Sequence, residues 1–385
     1  LPFLALAGAA YGLAMGFDPG EAKTARAYGL SLFFSTAVLY LIQTPPGRWS
    51  LSACDAVGFN LVAAVSVAGL GLAAVSLAAG RSRTIRLGLL ALVGAAAAGA
   101  YLAPDPACIH GPMAAVDPAI RGFWFDHIQE VQPWPKLLVL LPRDAICSIT
   151  MGLAALAGSA WLAVRSVRQR DWRALLSVAM AMTAVAMAAI AFRAEDYEFW
   201  LGLPVLAPAM TALCHRLWRG ALLPTAATGL VASPMIVAGL VALLSPTVGT
   251  ARGIAGAPAP KDHCLDTAAY GPLAALPSGL VLAETDLGSF VLANTQDSVV
   301  SAPYHRMAWG LLAAEHARGA PPAEAELKVR LLGVAYVLDC PAHAVDLPAA
   351  SLAARIRAGD LPSWLQRVSP SGAAISIYRV RPRSG

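Results

Sequence analysis

Charge is what this sequence has least of. Only 13% of its 385 residues are Asp, Glu, Lys or Arg, whereas 57% are hydrophobic. An ordinary soluble domain carries about 25% charged and 45–50% apolar residues. A soluble fold of this length has no interior large enough for so much apolar surface, so a single soluble domain is excluded. Disorder is excluded by the same balance, because it needs low hydrophobicity and high charge. Nucleotide and hydrolase signatures are missing: there is no GxGxxG, GxSxG or P-loop pattern. None of the six cysteines forms a CxxC pair, which argues against a zinc knuckle. No basic stripe interleaved with aromatics points to nucleic acid, and the 33 glycines and 28 prolines follow no collagen period. The chain opens on Leu1 without a basic n-region or a cleavage pattern, so it is expected to be a fragment of a longer protein.

What is present is a series of long apolar runs. Stretches near 1–17, 28–44, 58–79, 86–104, 146–164, 174–192, 199–214 and 226–245 reach the length of a bilayer-spanning helix, roughly 17–25 residues. In lipid every backbone group must pair within its own segment, so helices are expected rather than open sheets. The stretch at 199–214 is the shortest and holds Pro204 and Pro208. Small residues crowd several runs, as at Gly94–Ala100, and permit close helix packing. The fold class expected is therefore mainly α: a polytopic bundle of about eight spans, occupying 1–246.

Orientation follows from Lys and Arg in short loops. One set of loops carries Lys23, Arg26, Arg81, Arg83, Arg86, Arg165, Arg168, Arg170, Arg173, Arg216 and Arg219. The alternate set carries Arg48, Arg121, Lys136, Arg143 and Arg193, and is rich in acids. The first set is expected in the cytoplasm, and alternation then places everything after about Leu244 outside it.

Composition changes after Pro246. A Gly-, Ala- and Pro-rich linker is expected over 247–262, and a small α/β domain over 263–385. Apolar runs at Gly279–Ala283, Ser298–Ala302, Val334–Leu338 and Ala374–Tyr378 suit strands, and Met307–Ala317, Pro322–Leu332 and Ala349–Arg357 suit helices. Cys264 and Cys340 both fall in this external part, where disulfides persist, and a bridge between them is expected. Cys54 and Cys108 offer a second pairing. The alternative is that these cysteines are small buried hydrophobes.

Polar groups with chemical potential gather on the external side. In the loop from Asp105 to Arg143, Ile120, Phe123, Trp124, Ile128 and Val131 share one helical face, so an amphipathic helix near 117–132 is expected to lie in the membrane interface. A surface-lying structural helix and the rim of a lipid-substrate groove are both open readings. His110, Asp126 and Glu130 form a sparse set of metal ligands, so a divalent metal is a candidate cofactor. Arg193 ends a span beside Glu195 and Asp196, where it can meet a phosphate or pair with those acids. Asp55 precedes an apolar run, as a helix cap or a general base. In the tail, Glu284, Asp286 and Gly288 follow one expected strand, and Tyr304, His305 and Arg306 follow the next. Ligands of α/β sheets gather at such carboxyl ends. Solvated turn charges are the plain alternative.

Two stretches carry a resemblance: CIHGPMAAVDPAIRGFWFDHIQEVQPW in the external loop, and LAETDLGSFVLANTQDSVVSAPYHR with GVAYVLDCP in the tail. They resemble bacterial polytopic membrane proteins with the C-type glycosyltransferase architecture. That resemblance implies an inner-membrane enzyme that takes a sugar from a polyprenyl-phosphate-linked donor and transfers it to an extracytoplasmic acceptor. It also implies a main catalytic acid in a first external loop, ahead of Leu1. Within the chain, Asp55, Glu195 and Asp196 are the candidates for an acid or metal ligand. Arg193, His305 and Arg306 are the candidates for the phosphate, with His110, Arg121 and Tyr304 as further substrate-binding residues. The competing readings are a non-enzymatic assembly protein of the cell envelope and a transporter. The transporter is disfavoured because its path would need ionisable residues within the spans.

Overall fold

The computed structural model describes residues 2–219, scattered positions between 221 and 240, and residues 263–342 and 347–382. The expected span at 226–245 and the linker at 247–262 lie outside the described residues or nearly so. The chain divides into two compact units. The first comprises Leu1–Ala115 with Ile128–Gly253, and the second Val116–His127 with Ile254–Gly385.

The first unit is helical. Its helices are α1 (Pro2–Phe17), α2 (Ala22–Gln43), α3 (Phe59–Leu77), α4 (Arg83–Leu102), α6 (Trp134–Leu140), α7 (Pro142–Gln169), α8 (Trp172–Ile190) and α9 (Glu195–Trp218); α5 (Pro118–Arg121) belongs to the second unit. Among the described residues six helical segments are long and apolar enough to cross a membrane, and α1 is a shorter apolar helix. Their apolar faces look outward, as lipid-facing helices do. Ile42, Leu77 and Ile190 are each more than 70% exposed. Packing between helices is tight where glycines meet. A Cβ on Gly69 of α3 would sit 2.6 Å from the carbonyl oxygen of Gly29 on α2, so these backbones touch without an intervening side chain. Buried Arg86, at the start of α4, donates to the carbonyl of Gly16 at 3.0 Å and to that of Ala79 at 3.1 Å. It thereby satisfies helix-end carbonyls that have no partner within their own helices.

Several helices differ from the sequence reading: α2 begins at Ala22 rather than near 28, and α7 runs over Pro142–Gln169 rather than 146–164. Helix α9 starts at Glu195 rather than near 199, because three acids favour the positive end of a helix dipole and extend it outward. The segment 117–132 does not form one continuous helix. It breaks into α5 and two 3-10 turns, Phe125–His127 and Gln129–Val131. Asp117 caps α5 by accepting from the amide of Ala119 at 2.9 Å. Arg121 stacks its guanidinium 5.5 Å from the Phe125 ring centroid, and α5 packs on the helix Ala308–Gly319 within the second unit. The apolar pattern that suggested a long amphipathic helix therefore follows a short folded segment.

The second unit is built on a five-stranded sheet of β1 (Leu280–Leu282), β2 (Ser298–Val299), β3 (Val334–Asp339), β4 (Leu365–Arg367) and β5 (Ser376–Val380), in the order β2-β1-β3-β5-β4. The β2-β1-β3 half is parallel and the β3-β5-β4 half antiparallel. Side chains alternate across the sheet, as the period of two requires. Leu282, Val337 and Tyr378 face one core with the helices Ala308–Gly319, Pro322–Leu331 and Leu352–Arg357. Val281, Tyr336, Leu338 and Ile377 face the other, with Tyr270, Leu287 and the cystine. Cys264 is bonded to Cys340, and in the first unit Cys54 is bonded to Cys108. Strand β4 was absent from the sequence reading. It is short, and its Gln366 and Arg367 side chains are exposed.

Candidate functional site

The most developed polar site of the first unit lies where α7 and α9 begin. Asp144 occupies the first turn of α7, and Glu195, Asp196 and Glu198 the first turn of α9. Helix N-termini favour this charge. Glu195 interacts electrostatically with Asp196 and Asp144, and Glu198 with Glu195. Glu198 is only 1% exposed. Its Oε2 accepts from the Ser148 hydroxyl at 3.2 Å, and Ser148 Oγ in turn accepts from the Trp134 indole N–H at 3.0 Å. The second oxygen, Oε1, is buried with no hydrogen-bond partner. Gly152 makes room for this chain: a Cβ there would stand 2.6 Å from both Glu198 Oε1 and the Trp134 ring.

Arg193 sits beside this cluster, exposed in the 3-10 turn Phe192–Ala194 that joins α8 to α9. The turn is fixed by the Phe192 amide donating to the Gln132 carbonyl at 3.1 Å, and Gln132 donates through Nε2 to Ile128 O at 2.8 Å. Among the described residues Arg193 makes no ion pair with Glu195 or Asp196, so its guanidinium is presented outward. Asp196 is exposed and Glu195 half-buried. The structure thus brings together three residues singled out in the sequence, Arg193, Glu195 and Asp196. It adds Asp144, Ser148, Trp134 and Glu198, which the sequence reading had not placed in a site. The i, i+3 spacing of Glu195 and Glu198 in the first turn of a helix was the signal available for the last of these.

The other candidates are dispersed. Asp55 is half-buried in the bend before α3 and does not cap it, since Gly58 holds the N-cap position. His110 is exposed at the end of the 3-10 turn Pro106–His110. In the second unit, Tyr304 is 53% exposed, and His305 and Arg306 form the 3-10 turn before helix Ala308–Gly319. Arg121 lies on α5, within that same unit.

A buried charge network occupies the carboxyl edge of β1 and β3. Arg357 Nε holds both oxygens of Asp339 at 3.0 and 3.1 Å, and its Nη2 donates to Cys340 O at 2.9 Å. Arg318 Nη2 lies 3.9 Å from Glu284 Oε2, and the Arg318 side chain is 7% exposed. Burial pushes the Asp339 carboxyl above its ordinary pKa; the Arg357 fork opposes this but does not outweigh it. Burial likewise draws the Arg318 guanidinium down, against the pull of Glu284 and Asp339. Gly288 lets the helix Thr285–Asn294 approach this edge, since a Cβ there would meet Ala302 Cα at 2.9 Å.

Metal ligands do not converge on the sequence candidates. Among the described residues the one group of three such side chains within reach of one another is Cys54, Asp105 and Cys108. Its two sulfurs are joined to each other and offer no thiolate. His110, Asp126 and Glu130 do not form such a group.

Fold and site together describe a multi-pass helical membrane protein with a small α/β unit at the end of the chain. The fold is similar to that of the archaeal oligosaccharyltransferase AglB from Archaeoglobus fulgidus, solved in complex with an inhibitory peptide and a dolichol-phosphate. The TM-score is 0.51 at 14% sequence identity, over 88% of this chain and 45% of that protein. The chain thus spans less than half the length of its structural relative. The likeness is one of fold. No protein-family profile and no curated protein sequence matches the chain.

Proposed function

We propose that this chain is part of a bacterial inner-membrane glycosyltransferase that moves a sugar from a polyprenyl-phosphate-linked donor to an extracytoplasmic acceptor. The observation that carries the reading is the shared polytopic fold with a protein solved with a dolichol-phosphate and a peptide. In the reaction the bond between sugar C1 and the phosphate oxygen breaks, and a bond from C1 to the acceptor atom forms. The acceptor proton passes to a base, and polyprenyl phosphate leaves. Arg193 is the cation assigned to the leaving phosphate. Its planar fork suits phosphate oxygens, and it stands where a span meets the interface. Glu195 and Asp196 are assigned to the acid side of the site, with Glu198 holding the helix junction behind them. The donor's isoprenoid tail is assigned to a half-open apolar cavity of about 610 Å³ among α1–α4, lined by Gly8, Gly12, Leu72, Gly94 and Ala98 among others. His305, Arg306, Tyr304, His110, Arg121 and Asp55 remain candidates for acceptor or donor contacts.

The test is sugar transfer in membranes carrying the full-length protein, with labelled polyprenyl-phosphate-linked sugar. Arg193→Ala is expected to lower donor use by at least about tenfold, the loss of one charge-assisted phosphate contact of about 1.5–3 kcal/mol. Arg193→Lys is expected to recover only part of it. Unchanged transfer in the Ala variant would remove Arg193 from the site. Absence of transfer by the intact protein across donor sugars would favour the non-enzymatic assembly protein.

A further inference from the structure

The helices α7 and α9 run side by side, and their separation changes along their length. Near the middle they are in close contact: a Cβ on Gly202 would touch the Cβ of Ala155 at 3.4 Å, and one on Gly158 would reach Val205 O at 3.1 Å. Leu162 and Val205 are buried in the same cluster one turn further on. Beyond that point Pro208 cannot donate a backbone hydrogen bond to Pro204 O, and a groove of about 540 Å³ opens, lined by Arg165, Ala207, Pro208, Thr211, Ala212 and His215. Its floor is apolar. Its mouth carries two basic side chains and no acid among the lining residues. Thr211 is occupied by its own helix, donating to Ala207 O at 2.8 Å. Arg165 is steadied from its own helix, over the Trp161 ring at 5.5 Å and by Gln169 at 3.4 Å. Its terminal nitrogens remain for another partner, and both Arg165 and His215 are exposed.

We infer that this groove is a binding site for an anionic phospholipid of the leaflet facing the arginine-rich loops. The phosphate lies between Arg165 and His215, and an acyl chain lies along Ala207, Pro208 and Ala212. Charge complementarity commits the site to that occupant. The flanking positions 168, 170, 173, 216 and 219 are all arginine, and basic pockets between membrane helices on the cytoplasmic side favour anionic headgroups. A zwitterionic lipid would bring its own cation against this field, and a free anion would leave the apolar floor in contact with water. The site is separate from the outer junction at Arg193 and does not depend on sugar transfer.

The experiment follows thermal unfolding of the full-length protein in neutral detergent. The additives are dioleoyl phosphatidylglycerol, dioleoyl phosphatidylcholine or inorganic phosphate. Phosphatidylglycerol is expected to raise the midpoint saturably, and the other two are not. In the double variant R165Q/H215Q the apparent affinity is expected to fall at least about fivefold, at about 1 kcal/mol for one arginine near an anionic surface. The variant R168Q/R216Q, which weakens the surrounding field but leaves the groove lining intact, should keep a saturable response and lose less affinity than R165Q/H215Q. A212W fills the floor and leaves Arg165 and His215 in place, so it should lose the response as well. It decides the matter if R165Q/H215Q fails to elute as a folded species. An equal shift with phosphatidylcholine or with phosphate would overturn the inference. So would an equal loss in R168Q/R216Q, or a full response in A212W.

Discussion

Glu198 gives the sharpest test of how the junction of α7 and α9 is held. Its carboxyl is buried between α7 and α9, with one oxygen bonded to Ser148 and the other lacking a partner. Glu198→Ala removes the acceptor of a buried hydroxyl, worth about 1–3 kcal/mol, and leaves a void of the kind that costs about 2–5 kcal/mol. Removing an incompletely paired carboxyl offsets part of that sum, so the expected net loss is about 2–4 kcal/mol. Glu198→Gln keeps the shape and an acceptor for Ser148, and is expected to change stability by less than about 1 kcal/mol. Gly152→Ala approaches the same chain from the opposite helix. Its methyl group must displace Glu198 Oε1 or the Trp134 ring, each 2.6 Å away, an overpacking cost of about 1–3 kcal/mol. Because the two sites touch, the double variant G152A/E198A should be milder than the sum of its parts, by about 0.5 kcal/mol or more. The assay is thermal unfolding in detergent, with sugar transfer measured on the folded fraction. Equal destabilisation by Ala and Gln, or strict additivity with Gly152→Ala, would refute the hydrogen-bond chain. A stable Gln variant with no transfer would move Glu198 from support into the chemistry.

In the second unit, Arg357→Met should destabilise by about 3–5 kcal/mol at neutral pH, because it leaves Asp339 charged and buried without its fork. The folded Asp339 carboxyl titrates above its ordinary value. Its proton is therefore bound more tightly when folded, and stability falls as pH rises through the folded pKa. The Arg357→Met loss should accordingly shrink on acidification, as read by denaturant unfolding at pH 5 and pH 8; a loss independent of pH would contradict the argument. Reduction of Cys264–Cys340, 76 positions apart, should cost the second unit about 2–5 kcal/mol and expose both thiols together to labelling. Ready labelling of either thiol in the oxidised protein would deny the bridge. Reporter fusions at Gly80 and Pro260 should report opposite compartments, with the former cytoplasmic; the same compartment for both would overturn the orientation.

Hydrophobic run length by itself determined that Phe59–Leu77, Arg83–Leu102 and Trp172–Ile190 are helices. In a run of bilayer length with its few charges near one end, a helix is the backbone that pairs the amides and carbonyls within the segment itself. Local pattern likewise placed β1 and β3 and the helices Pro322–Leu331 and Leu352–Arg357 to within about three residues, the usual uncertainty of element ends. Tertiary structure decided the rest. The same apolar pattern that suited a long interfacial helix is satisfied by α5 packed on the helix Ala308–Gly319, because period alone does not say what an apolar face meets. The joining of an antiparallel β5-β4 pair to a parallel β2-β1-β3 edge depends on pairings more than 25 residues apart, which no local signal encodes. The junction of α7 and α9 divides in the same way. Arg193, Glu195 and Asp196 were legible as charges at a span end. That Glu198 is the buried acid and Asp196 the exposed one depends on which face of α9 meets Ser148 and Gly152 of α7, and helix packing fixes that face.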